Sequence, residues 1–412
     1  MRAFLNSGTF PSENIEINIC GSKSESNRLL ILQALYPNLS IKNLSDSDDT
    51  DVLKKGVKVM NGTVDVHHAG TAMRFLTAYF SSKEGAEIVL TGSKRMQERP
   101  IGLLVEALRT LGADIEYLGN PGFPPLRIKG RQLFNSEVSI KANVSSQFIS
   151  ALMLIAPKIP AGLKIFLEGE TTSVPYIEMT LKLLEEIGIP GSFHSNLIHI
   201  PFAEKVEQRQ KTVESDWSSA SYFYSLVALS KNAKITLGSF MSDSLQGDAN
   251  VCKIYEALGV ATVFNAESKT IRLSKINIKL SDLLLLDLSN TPDLAQTIAV
   301  TCFGLGIGCK LTGLHTLKIK ETDRLLALKV ELEKLGAVVH IDANSLHLEK
   351  PARLNAGRAI ETYQDHRMAM AFAPLALKTP IIINNAEVVS KSYPKFWTDL
   401  HALGLQCEFE NP

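Results

Sequence analysis

Apolar and polar positions alternate along this chain in two rhythms, one of period two and one close to 3.6. Ile15-Glu16-Ile17-Asn18-Ile19 follows the first and reads as a strand, and the apolar stretch Leu29 to Leu35 behind it reads as a helix. Leu325, Leu326, Leu328, Val330, Leu332 and Leu335 form one apolar stripe ended by Gly336, which predicts a helix with Lys320, Glu321 and Arg324 in its first turn. Further helices are predicted over Phe75 to Phe80, Ile149 to Ala156, the almost wholly apolar Leu294 to Phe303, and Met368 to Ala373; Ile381-Ile382-Ile383 reads as a strand.

A longer regularity lies over this one. Gly56, Gly112, Gly188, Gly259, Gly336 and Gly404 each stand where an amphipathic helix gives way to a strand, and each is predicted to stop its helix in the left-handed conformation. The period is roughly 70 residues, enough for a βαβ-type unit plus a hairpin, with a visibly shorter first interval. That shorter first interval predicts that one unit lacks its hairpin. Six similar units divide most simply into two domains of three, because a single core rarely grows to this size.

Composition narrows the function. With 412 residues, 45% of them hydrophobic, the chain can bury more than one core. Lys plus Arg equals Asp plus Glu, so there is no basic surplus to neutralise a nucleic-acid backbone, and the cations fit a small anionic ligand instead. Cys20, Cys252, Cys302, Cys309 and Cys407 form no C-x-x-C pair, which suits a reducing compartment and core positions rather than zinc or disulfides. The first residues lack a signal-type apolar stretch, and apolar runs such as Thr297 to Cys309 are too short to span a bilayer. A cytoplasmic protein acting on small molecules, away from membranes and nucleic acid, is the expectation.

Charge at helix starts supplies the candidate chemistry. A helix N-terminus favours anions, so Glu321 and Asp323 suit theirs, while Lys320 and Arg324 gain nothing from the dipole and need another reason to be there. A capping box among solvated charges is the plain alternative. Gly21-Ser22-Lys23-Ser24 with Asn27-Arg28, and His68-Ala69-Gly70-Thr71-Ala72-Met73-Arg74, both place a Gly-containing turn before a helix, where backbone N–H groups can cradle a phosphate; a solvated turn would look the same. The first is no Walker loop, since the spaced glycines before Gly-Lys-Ser are missing. Ser145-Ser146-Gln147 can hold an oxyanion or simply cap a helix. Asp293 before Leu294 to Phe303 and Asp365-His366-Arg367 before Met368 to Ala373 repeat the theme.

Taken in order, these segments resemble the enolpyruvyl transferase family, and within it the 5-enolpyruvylshikimate-3-phosphate synthases. Arg95-Met96 with Glu98-Arg99-Pro100, Pro175-Tyr176-Ile177, Ser218-Ser219-Ala220-Ser221-Tyr222 and Pro292-Asp293 extend the match nearly end to end. The resemblance implies an α/β (α+β) chain of two inside-out α/β barrel domains, built from six βαβαββ-type repeats, three per domain. Residues 1–20 with 214–412 would form one domain and 21–213 the other, with the active site between them. It further implies transfer of the enolpyruvyl group of phosphoenolpyruvate to the 5-hydroxyl of shikimate 3-phosphate, by a monomer without metal or organic cofactor. By matching position, Ser24 and Arg28 would hold the shikimate carboxylate, and Ser145, Ser146, Ser173 and Lys320 its phosphate, with Gln147 and Tyr176 lining that pocket. Arg324 and Arg367 would clamp the phosphoenolpyruvate carboxylate, while Lys23, Arg99, Gln147, Lys391 and the Gly70 backbone would hold its phosphate. Asp293 and Glu321 would share the proton transfers, Asp293 also touching the shikimate hydroxyls, with Lys23 stabilising charge. His68, Phe75, Val174 and Thr316 depart from the family's usual Asn, Pro, Lys and Asn, and of these Thr316 lies on the shikimate side. The alternatives are the related transferase acting on UDP-N-acetylglucosamine, against which Lys23-Ser24 and the absence of Cys from Arg95 to Arg99 both speak, and an inactive phosphometabolite-binding homologue.

Overall fold

The computed structural model describes residues 1–6, 14–142, 145–169, 171 and 174–410. The chain divides into two compact units: Met1–Cys20 with Glu214–Pro412, hereafter unit 1, and Gly21–Val213, unit 2.

One pattern is repeated throughout. In unit 2, strand Asn61–Asp65 runs parallel to Glu87–Thr91, which pairs antiparallel with Leu126–Lys129, itself antiparallel to Asp114–Tyr117. A parallel pair needs a crossover, and helix Gly70–Ser81 supplies it. Glu137–Lys141, Leu163–Glu168, Leu197–Ile200 and Ser192–His194 form a second sheet of the same order. In unit 1, Leu283–Asp287, Gly308–Thr312, Leu346–Leu348 and Val339–Ile341 form a third. The chain's first strands complete two more sheets of unit 1. Ile15–Ile17 pairs parallel with Lys234–Gly238, and Arg2–Asn6 lies between Ile381–Asn384 and Gln406–Glu410.

Among the described residues one sheet has only two strands, Leu39–Lys42 parallel to Arg209–Thr212. Only residues 57–60 separate helix Asp48–Gly56 from strand Asn61–Asp65, which leaves no room for the hairpin that the other sheets carry.

Helices lie inside and sheets outside, a two-domain inside-out α/β barrel arrangement. Every residue of Gly70–Ser81 and of His366–Phe372 is buried, as are Phe148–Ile155 and Ala295–Phe303. Strand Leu163–Glu168 alternates buried and exposed, as a sheet with one wet face must. Inner helices therefore read as apolar all round, the pattern of a buried helix rather than a surface one.

Three expectations are corrected. Gly112, Gly188, Gly259, Gly336 and Gly404 do take positive φ, but Gly56 does not. It lies inside its helix, where a Cβ would come 2.7 Å from Leu76 Cδ1, so close helix packing rather than chain reversal calls for glycine. The helix after Lys320 begins only at Arg324, because the Asp323 carboxylate accepts the Leu325 and Leu326 N–H groups and so fixes the N-cap there. Lys320 and Glu321 thus precede the helix. Cys302 and Cys309 are buried, while Cys20, Cys252 and Cys407 are half-buried rather than in the core.

Gly21 shows the same close approach more severely, since a Cβ there would lie 1.8 Å from the Asn43 carbonyl oxygen, a backbone atom with little freedom to move. Gly21→Ala is predicted to cost about 3 kcal/mol, the upper range for overpacking, in urea unfolding. A loss under about 0.5 kcal/mol would mean the turn can open there.

Candidate functional site

In unit 1 the charged residues converge on one guanidinium. Arg324, 2% exposed, donates from Nε to Asp365 Oδ2 at 2.6 Å, from Nη1 to Asp293 Oδ1 at 2.8 Å and from Nη2 to Glu321 Oε2 at 2.8 Å. Burial alone would lower its pKa, yet Asp365, Glu321 and Asp293 together hold it above its ordinary value. Arg367 donates to Asp293 Oδ2 at 2.9 Å and to the Asp293 carbonyl at 3.2 Å. Lys320 Nζ stands 3.7 Å from Asp293 Oδ1, and Lys391 Nζ 3.2 Å from Glu321 Oε1. Asp293, Lys320, Glu321, Arg324, Arg367 and Lys391 are thereby brought together.

The helices explain how. Arg367 is the second residue of His366–Phe372, Asp293 lies in the turn just before Ala295–Leu305, and Ser218 is the second residue of Trp217–Leu229. Arg367 reaches Ser218 Oγ at 3.3 Å as well as Asp293, so three helix N-termini meet at one side chain. Their dipoles present partial positive charge there, which favours anions. Burial would raise the Asp293 pKa, but Arg367, Lys320 and Arg324 outweigh it and hold the carboxyl well below its usual range. Burial lowers that of Lys320 despite Asp293 beside it. Thr316 lies in the 3-10 turn His315–Ile319, its buried hydroxyl without a hydrogen-bond partner.

Unit 2 gathers a more neutral set. Arg28, 3% exposed, donates to Thr180 Oγ1 at 2.8 Å, the Ser24 carbonyl at 2.9 Å, Ser150 Oγ at 2.9 Å and the Tyr176 carbonyl at 3.4 Å, and its Cζ lies 5.6 Å and 5.8 Å from the Phe75 and Tyr176 ring centroids. Burial lowers its pKa to about 10 against the pull of Tyr176 and Glu25. Lys23 and Ser24 open helix Lys23–Leu35, whose N-cap is Ser22. Gly70 opens the next inner helix, and a Cβ on it would sit 2.4 Å from Arg99 Nη1, so only glycine lets that guanidinium lie against the backbone. Arg99 Nε is buried without a hydrogen-bond partner, an orphan donor in search of an acceptor. Ser145 is the N-cap of Ser146–Ile155, and its side chain makes no capping bond. Gln147 donates to Thr71 Oγ1 at 3.3 Å, joining this helix start to that of Gly70. Ser173 lies outside the described residues.

Sequence reasoning passed over Asp365 as a site residue, although an acid capping the Arg367 helix two residues before the cation was a usable signal. Asp248 carried none. Buried beside Arg367, it accepts the Ser218 hydroxyl, and burial with the Asp293 charge raises its pKa from 3.8 to about 6.

Comparison with known proteins identifies the class first. Two solved EPSP synthases from Acinetobacter baumannii superpose at a TM-score of 0.78 with 21% identity, covering 100% of this chain and of their own, which establishes the shared two-domain fold. The profile of the EPSP synthase (3-phosphoshikimate 1-carboxyvinyltransferase) family matches residues 60–400. A 3-phosphoshikimate 1-carboxyvinyltransferase from Bacteroides fragilis (strain YCH46) is 48% identical over 392 residues, 94% of this chain and 95% of the relative. One from Shewanella piezotolerans is 36% identical, covering 95% of this chain and 97% of the relative. The chain belongs to the EPSP synthase family.

Because the folded state holds the Asp248 proton more tightly than the unfolded one, this carboxyl's contribution to stability is fully present below about pH 4 and lost as the pH rises through about 6. Asp248→Asn should therefore gain stability relative to the wild type between pH 4 and pH 7 in urea unfolding. Parallel curves for the two proteins would contradict the shift.

Proposed function

We propose that this chain transfers the enolpyruvyl group of phosphoenolpyruvate to the 5-hydroxyl of shikimate 3-phosphate, releasing inorganic phosphate, in the shikimate pathway to chorismate and the aromatic amino acids. As a member of its family the chain is an enzyme, a transferase. The observation that carries the residue assignments is the pairing of two carboxylates, Asp293 and Glu321, with Lys320, Arg324, Arg367 and Lys391 within 4 Å contacts in unit 1. The two acids balance the buried cations, and a reaction that moves protons has a further use for them.

In this reading the unit-2 residues Ser24, Arg28, Ser145, Ser146, Ser173 and Tyr176, with Lys320 and Thr316 of unit 1, hold shikimate 3-phosphate. Arg367 and Arg324 take the phosphoenolpyruvate carboxylate, and Lys23, Arg99, Gln147, Lys391 and the Gly70 backbone its phosphate. An incoming carboxylate competes with Asp293 and Glu321 for Arg324, which frees those acids for chemistry. The 5-hydroxyl oxygen attacks C2 of phosphoenolpyruvate and loses its proton to one acid while the methylene carbon gains a proton from the other. The C2–O bond to phosphate then breaks, phosphate leaving with the oxygen and the electron pair, as a methyl proton is withdrawn to regenerate the vinyl group. Asp293 and Glu321 share these proton transfers, and Lys23 offsets charge at the reacting centre. The protein works as a cytoplasmic monomer without nucleic acid. Its zero net charge leaves no basic surplus for a nucleic-acid backbone, and among the described residues no helix is long and apolar enough to cross a membrane.

Purified protein mixed with both substrates should release phosphate, and omission of either should abolish release. Glu321→Gln should lower turnover about 10²-fold with its fold intact. Phosphate release without shikimate 3-phosphate, or normal turnover by the variant, would count against the reading.

A further inference from the structure

Arg367 is delivered by a bend with an unusual backbone. Tyr363 and Gln364, two consecutive non-glycine residues, both take left-handed conformations, φ 53° and 57°. Side-chain-bearing residues persist there only when their surroundings hold them. Immediately afterwards Asp365 receives Arg324 Nε, caps the Arg367 N–H at 2.9 Å, and starts the helix that carries Arg367.

One buried carboxylate grips the other side of this bend. Glu331 is wholly buried on helix Arg324–Lys334, seven residues beyond Arg324 and so two turns along the same face. Its Oε1 accepts the Tyr363 hydroxyl at 2.6 Å and its Oε2 the Glu361 N–H at 3.1 Å. Lys334 reaches both oxygens, at 2.8 Å and 2.7 Å, and balances the charge. Glu361 is held in turn by Asn384, whose amide donates to its carboxylate at 2.5 Å. The segment from Glu361 to Asp365 is thus fastened at both ends to one helix, by Glu331 at its start and by Arg324 at its finish.

We propose that Glu331 and Tyr363 are positioning residues for the phosphoenolpyruvate side of the site: together they hold the left-handed bend that aims Arg367. Neither touches the cluster of acids and cations. Their influence passes through the Tyr363–Gln364 backbone to Asp365 and Arg367. Loss of the Tyr363 hydroxyl lets the bend relax toward ordinary φ, and Arg367 then spends part of its time misaligned. The affinity lost should be that for the substrate which Arg367 binds, and shikimate 3-phosphate, held mainly by unit 2, should be spared. This inference rests on the proposed reaction.

Tyr363→Phe removes one oxygen from a side chain that is 37% exposed, so the fold should survive. Two readouts test it. Backbone amide exchange over 361–367, without substrates, should speed about tenfold, while exchange over Trp217–Leu229 stays unchanged. The KM for phosphoenolpyruvate should rise about tenfold, the scale of one hydrogen bond to a charged group, with the KM for shikimate 3-phosphate and kcat changed less than about threefold. Glu331→Gln, which keeps an acceptor for one partner only, should shift the same two readouts in the same direction. Unchanged exchange in Tyr363→Phe overturns the inference whatever the activity. So does faster exchange in an active variant with both KM values unchanged, or raised equally. Failure of the wild type to turn over strikes the proposed reaction alone, and exchange then decides this inference by itself.

Discussion

Burying the Arg324 guanidinium is the constraint to which unit 1 is built. A cation taken out of water is tolerated only when its donors are matched, and here three carboxylates do so, Glu321 three residues before it and Asp293 and Asp365 from distant stretches. A lysine could not replace it, since a compact ammonium lacks the planar set of donors that reaches three acids at once. Two of these acids in turn meet further cations, Arg367 and Lys320 at Asp293 and Lys391 at Glu321. Inside the cluster three carboxylates offset most of the charge of four cations. An anionic substrate entering such a set does not meet bare positive charge. It exchanges one carboxylate for another, and the displaced acids become available for proton transfer.

The inside-out architecture makes this convergence possible. Helices that would normally cover a sheet from outside are here the core, so their N-termini and the turns before them bring polar groups to a common place. In unit 1, Arg367 joins three such starts. In unit 2, Gln147 joins those of Gly70–Ser81 and Ser146–Ile155, and Arg28 crosses from its own helix to Ser150 and Thr180. Apolar residues along the rest of each helix supply the packing that holds these polar ends, so the same sequence feature that makes the fold also orients the site.

Much of this was legible in the sequence. Glycines at 112, 188, 259, 336 and 404 marked helix ends because left-handed backbone leaves few alternatives to glycine. Gly56 misled because close packing against Leu76 also selects glycine, and the letter does not distinguish the two causes. The cations stood out at helix starts, where local electrostatics gives them no reason to be. Asp365 showed only as a helix cap, since its pairing with Arg324 spans 41 residues, and Asp248, joined through Ser218 across 30 residues, left no local signature. The bend at Tyr363–Gln364 was likewise silent, since tertiary contacts hold it in place of residue preference.

The account's central claim is that the Asp293–Glu321 cluster adds a proton to the phosphoenolpyruvate methylene and later withdraws one. Turnover carried out in deuterium oxide, with the product examined by proton and carbon NMR, tests it most directly. Addition makes a methyl group bearing one deuteron, and elimination removes one of its three hydrogens, so deuterium should appear in the product's vinyl methylene. Product formed without deuterium would mean that the enolpyruvyl group passes across without protonation, and the role given to the two acids would be wrong.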